Sequence, residues 1–248
     1  MPLRWTQLLN LISLLVALFF VTSCDSMRDE SIKNTESANI YLQLGVRYMD
    51  LNKLEIARDN LQIALKKDPQ NSQVHNACGF LYEKLQDNQQ AKQHYEQALK
   101  FSPDDWSVQN NFGRFLCDNH EIVQGLTLLK LASATSLNDK QWIALTNAGR
   151  CELEREQKQS ALEYFEQALR LNASYAPALL EMQKVSFQTS DYLAAQTYFK
   201  RYMDVGTYTP ASLWIAKQTE FALGNNTIAR DYEEILLEKF PLSNEAKH

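Results

Sequence analysis

One spacing recurs along this chain and restricts what it can fold into. Between Ala38 and Asn71 it places Tyr41, Leu44, Gly45, Tyr48, Ala57, Leu61, Ala64 and Pro69. Apolar residues return every three or four positions, the period of one helix face. The pattern breaks at Asp50–Lys53, resumes over Leu54–Lys67 and stops at Pro69, which cannot continue a helix. A shift of 34 positions carries Gly45, Tyr48, Ala57, Leu61, Ala64 and Pro69 onto Gly79, Tyr82, Ala91, Tyr95, Ala98 and Pro103.

A helical hairpin of about 34 residues with small residues at the helix crossing and a terminal Pro is the signature of a tetratricopeptide repeat. One hairpin cannot bury its own apolar face, so copies stack. The spacing predicts six repeats, 38–71, 72–105, 106–141, 142–175, 176–208 and 209–243, followed by a polar tail, 244–248. Repeat 3 keeps Phe112, Gly113, Leu116, Leu129 and Ala132, but has Gly125 at the usual small position, lacks the Pro and runs about two residues long. Repeat 4 has Ala148, Gly149, Ala161, Phe165 and Ala168. Repeat 5 has Leu179, Met182, Ala195 and Phe199, with Gln183 where the Gly should stand. Repeat 6 is the loosest, as terminal repeats are. The expected fold is all-α, a right-handed α-solenoid of about twelve helices. Its first helices line a concave, protein-binding face.

Composition agrees with this. The chain is 45% apolar and 22% charged, and its seven Gly and six Pro argue against a β-rich or disordered chain. Net charge is −5 and no basic run exceeds two residues, which argues against a nucleic-acid partner. There is no Gly-rich phosphate loop. His75, His94, His120 and His248 lack zinc-ligand spacing, so no metal, cofactor or small-molecule substrate is expected. Cys117 and His120 stand three apart, which raises a Cys/His nucleophile. A core or disulfide-bonded Cys followed by a loop His accounts for them better. The chain reads as a binding module, not an enzyme.

Residues 1–23 read as a signal peptide, with Arg4 in a short basic region and an apolar stretch, Leu8–Val21, too short to span a membrane. The ending Val21-Thr22-Ser23-Cys24 resembles the lipobox of bacterial lipoproteins. That resemblance implies cleavage before Cys24 and acylation of its thiol and new amine. Two or more chains anchor stably. Residues 24–37 then read as the lipidated Cys and a flexible tether. The implied location is the periplasmic face of the outer membrane. Asp25 departs from this, because in enterobacterial lipoproteins Asp at that place favours retention in the inner membrane.

Cys78 replaces a large apolar residue before Gly79 and reads as a small buried hydrophobe. Cys117 and Cys151 fall near the ends of neighbouring first helices in an exported chain, where oxidising conditions prevail. A disulfide between them is expected, with two packed free thiols as the alternative. The fifth, sixth and ninth repeat positions place Leu42, Val46, Asn76, Phe80, Asn110, Asn111, Arg114, Thr146, Asn147 and Arg150 on the concave face. Leu42, Val46 and Phe80 form an apolar patch near the anchored end. Asn110, Asn111 and Asn147 form an amide row that either bonds an extended peptide or ties helices together.

The stretches Asn110-Asn111-Phe112-Gly113-Arg114-Phe115-Leu116-Cys117 and Asn147-Ala148-Gly149-Arg150-Cys151 resemble the PilW/PilF family of type IV pilus biogenesis lipoproteins. The resemblance also takes in the lipobox, the six repeats and the length. It implies a pilotin, an outer-membrane lipoprotein that helps the secretin subunit reach the outer membrane and assemble into its ring, with other pilus assembly proteins as further partners. Some members instead stabilise the pilus. The alternative is a general repeat-protein lipoprotein adaptor for outer-membrane protein assembly or cell-wall enzymes.

Overall fold

The computed structural model describes residues 32–247, and all its regular structure is helical. The expected signal peptide, Cys24 and Asp25 lie outside the described residues. Twelve α-helices form six consecutive hairpins among them. These are α1 (32–50) with α2 (Leu54–Lys67), α3 (Ser72–Lys84) with α4 (Asn88–Phe101), and α5 (Trp106–Asp118) with α6 (Ile122–Ala134). Then come α7 (Gln141–Glu154) with α8 (Lys158–Leu171), α9 (Ala176–Gln188) with α10 (Tyr192–Met203), and α11 (Pro210–Ala222) with α12 (Asn226–Lys239). The chain divides into two compact units, one ending at Pro103 and one beginning at Asp104.

Each hairpin is folded by the same local device. A residue with positive φ follows every first helix: Asn52, Gln86, His120, Glu156, Ser190 and Gly224. The next N–H then reaches back to the helix, as Lys53 to Tyr48 O, Asp87 to Tyr82 O, Glu121 to Leu116 O, Gln157 to Glu152 O, Asp191 to Ser186 O and Asn225 to Glu220 O, all at 2.8–3.0 Å. This is the Schellman ending, which satisfies carbonyls left open at a helix C-terminus. Five of the six turns place a non-Gly residue in the left-handed region and accept its cost. Some first-helix starts are capped by side chains: Asn71 accepts from Gln73 and Val74 N–H at the start of α3, and Asp105 from Ser107 and Val108 N–H at the start of α5.

The crossing within a hairpin is set by the Gly and the large residue opposite it. A Cβ on Gly79 would lie 2.7 Å from the ring of Tyr95, and one on Gly45 would lie 2.7 Å from Leu61. Tyr95, Phe165, Leu61 and Leu129 are fully buried there. Each such side chain is worth roughly 1.5–3 kcal/mol of apolar burial. The first unit's core joins Ala57, Leu61 and Ala64 of α2 to Val74, Cys78 and Leu81 of α3. In the second unit, Leu126 and Leu129 of α6 meet Ala148 and Cys151 of α7, and a larger cluster runs from Leu145 to Leu236.

One expected boundary moves. Residues 32–37, expected in the tether, belong to α1. No Gly or Pro breaks that stretch, and its polar residues tolerate an exposed helix, so α1 extends backward past the repeat. Within the polar tail, Glu245–Lys247 form a 3₁₀ turn and Ala246 packs on the second unit's core. The missing Pro of repeat 3 has a substitute. Asn138 is buried between α6 and α7, donating to Ala132 O at 2.7 Å and accepting from Lys140 N–H at 2.8 Å. Its side chain closes the longer linker that Pro would have stiffened.

Candidate protein-binding surface

In the first unit the expected apolar patch lies on α1 and α3. Val46 and Phe80 hold the same register position and are 40% and 38% exposed. Leu42 is half-buried against the core, and Asn76, at its register position on α3, is buried. Lys84 Nζ sits 5.1 Å from the centre of the Phe80 ring. A cation over an aromatic face is a modest attraction at an exposed site. Val46 and Phe80 are therefore the side chains offered to solvent there, with Leu42 as their floor.

The second unit uses most of its expected binding residues internally. Asn147 on α7 donates to Asn110 Oδ1 on α5 at 2.9 Å, and Asn110 donates to Asn111 Oδ1 at 3.2 Å. Asn110 and Asn147 are both buried. These two amides tie neighbouring first helices together and are not presented to a peptide, because buried amides must be partnered inside. Thr146 is also withdrawn, since it is buried and its hydroxyl donates to Trp142 O at 2.7 Å. The surface there belongs to two arginines. Arg114 pairs with Asp118 at 2.7 Å and Arg150 with Glu181 of α9 at 2.8 Å. Both pairs are partly exposed, so each adds little stability. Glu181 was absent from the expected set. It is the sixth position of repeat 5, and the same register carried one repeat further reaches it.

Cys117 and Cys151 are disulfide-bonded, with Cα atoms 5.3 Å apart. That lies within the window a disulfide requires. The Cys117 sulfur is thereby no nucleophile toward His120, which is the turn residue of its hairpin at φ 65°. Cys78 is free and buried, and burial pushes its thiol pKa up to about 12. It packs as a small apolar residue and stays protonated.

Sequence spacing separated the histidines, but α3 and α4 bring two together. His75 Nδ1 and His94 Nδ1 are 3.1 Å apart, and His75 Nε2 lies 3.0 Å from Pro69 O. A carbonyl only accepts, so His75 carries its proton on Nε2. In the neutral pair His94 Nδ1–H then donates to His75 Nδ1. His94 also stacks on Tyr82. Burial, and secondly His75, push the His94 pKa down to about 4. No group of three or more metal-ligating side chains occurs among the described residues.

Comparison with known proteins places this geometry. Tetratricopeptide-repeat models match residues 72–105 and 144–175. The type IV pilus assembly protein PilF of Pseudomonas aeruginosa is 26% identical over 230 residues, 91% of each chain. The solved structure of P. aeruginosa PilF superposes with a TM-score of 0.77, covering 87% of this chain and 97% of that one. PilW, whose crystal structure is described as that of a widely conserved type IV pilus biogenesis factor, superposes with a TM-score of 0.78 at 29% identity, over 85% and 96%. This chain is a tetratricopeptide-repeat protein of the PilF/PilW type. The PilF/PilW likeness spans nearly the whole repeat array of both relatives, not one borrowed hairpin. In this PilF/PilW-type chain, the NN-aromatic-Gly and Asn-Ala-Gly stretches supply the buried amide pair and the bonded cysteines.

Proposed function

We propose that this protein is a lipid-anchored scaffold for type IV pilus biogenesis. It is held through Cys24 on the periplasmic face of the outer membrane, where it acts as a pilotin for localisation and assembly of the secretin, stabilises the pilus, or does both. The observation that carries the reading is the likeness to PilF over nine-tenths of both chains. An exposed apolar pair on a rigid helical scaffold is the kind of surface that receives a partner segment. Val46 and Phe80, floored by Leu42, supply it. The test is Val46→Asp combined with Phe80→Asp in the anchored protein. Val46 and Phe80 face solvent, so helical content and melting should change little, while the yield of assembled secretin multimers falls several-fold. Normal secretin multimers with a folded variant would refute this surface as the contact. Cys24→Ser, scored by membrane fractionation, examines the anchor separately and should release the protein from membranes.

A further inference from the structure

We infer that the free side of α1 is a lipid-contacting surface. The register carries the argument. On α3, Val74, Cys78 and Leu81 are buried with residues of the preceding hairpin. Their equivalents are buried on α7 as Ala144, Ala148 and Cys151, and on α9 as Ala178, Met182 and Val185. This side of a first helix is therefore the one that a preceding hairpin covers. The same three positions on α1 are Ile40, Leu44 and Arg47. No hairpin precedes them among the described residues. Ile40 is 59% exposed and Leu44 37%, and Leu51, one turn beyond Arg47, is 56% exposed. A terminal repeat ordinarily turns a polar face outward. This one keeps the apolar character of a covered interface.

The place of α1 in the chain names the occupant. Cys24 precedes the first described residue of α1 by so few residues that even a fully extended chain reaches only about 29 Å. With the acyl anchor proposed above, on which this inference rests, α1 stays beside the bilayer. Apolar side chains held there partition into the boundary between headgroups and acyl chains. Arg47 lies within the face, and its aliphatic stem covers apolar surface while its guanidinium reaches lipid phosphates. Lys33 near the start of α1 and Lys53 in the turn after it are exposed. Glu36 and Asp50 on the same helix oppose an anionic surface, so contact is driven by apolar burial more than by charge.

The experiment uses the full-length lipidated protein in phosphatidylethanolamine–phosphatidylglycerol vesicles. A nitroxide is placed at Ile40→Cys, at Leu51→Cys, or at the exposed control Gln93→Cys on α4, and its collisions with oxygen and with a water-soluble nickel complex are measured. Contact with lipid predicts a several-fold higher oxygen-to-nickel ratio at positions 40 and 51 than at 93. Equal, water-like ratios at all three in an acylated, vesicle-bound protein overturn the inference alone. A label at 40 that is immobilised and shielded from both reagents reveals a second copy or a partner helix on this face, and also overturns it. Mass spectrometry of the N-terminal peptide reports the anchor independently: a chain without acyl groups overturns the anchor, and this inference with it.

Discussion

Gly125 has no side chain because its place is already occupied. The other five repeats carry Ala there, at positions 57, 91, 161, 195 and 229. A Cβ on Gly125 would lie 2.5 Å from the Cys117 sulfur and 2.7 Å from the Gly113 carbonyl oxygen. Helix propensity alone favours Ala over Gly by about 1 kcal/mol. Overpacking costs roughly 1–3 kcal/mol, toward the upper end when the opposing atoms cannot move. Here one is backbone and the other is a sulfur fixed by its bond to Cys151. The steric term wins. Gly125→Ala is expected to lower stability by about 1–2 kcal/mol, read as a lower denaturant midpoint with an unchanged slope. A variant more stable than the parent would show that the crossing of α5 and α6 is looser than described.

At the scale of the element, the α3–α4 hairpin contains a proton-sensitive contact. In the folded protein His94 stays neutral down to about pH 4, against an ordinary value of 6.5. Between those values the unfolded chain binds the extra proton and the folded chain does not. Stability of the first unit is therefore expected to fall as pH drops from about 6.5 toward 4, with no contribution from this group above that window. The groups facing His94 are His75 and Tyr82 of α3. His94→Gln should flatten the decline, measured as the difference in melting temperature between pH 7 and pH 5. If parent and variant lose the same number of degrees, His94 is not the group responsible.

At the scale of the whole molecule, the disulfide seen among the described residues lies in the unit beginning at Asp104. The disulfide joins α5 to α7 across a sequence separation of 34 residues. The chain-entropy model assigns a loop of that size about 4 kcal/mol through the unfolded state. Reduction should therefore weaken α5–α8 far more than α1–α4. Hydrogen exchange with and without reductant measures this, and the expected result is lost amide protection confined to the unit beginning at Asp104. Protection lost equally from α3 and α4 would contradict it. Intact mass after alkylation under non-reducing conditions should show Cys117 and Cys151 unmodified.

The helices, their pairing and their turns were legible in the sequence, because they depend on interactions close along the chain. Gly45 and Leu61, or Gly79 and Tyr95, belong to one hairpin, so the period of their spacing already states that they meet. The apolar patch was legible for the same reason, since Val46 and Phe80 share one register position. What the tertiary structure alone decided involves residues whose polar groups choose among several partners. Asn110 and Asn147 stand 37 residues apart, and spacing left them equally suited to a ligand or to each other. Only the packing of α5 against α7 buried both, and burial obliges an amide to bond within the protein. His75 and His94 met for a similar reason, through the crossing of α3 and α4. The uncovered side of α1 was decided by the structure as well. Ile40 and Leu44 carry the same apolar pattern as Val74 and Cys78, and a pattern of residue types does not record whether a neighbour is there to cover it.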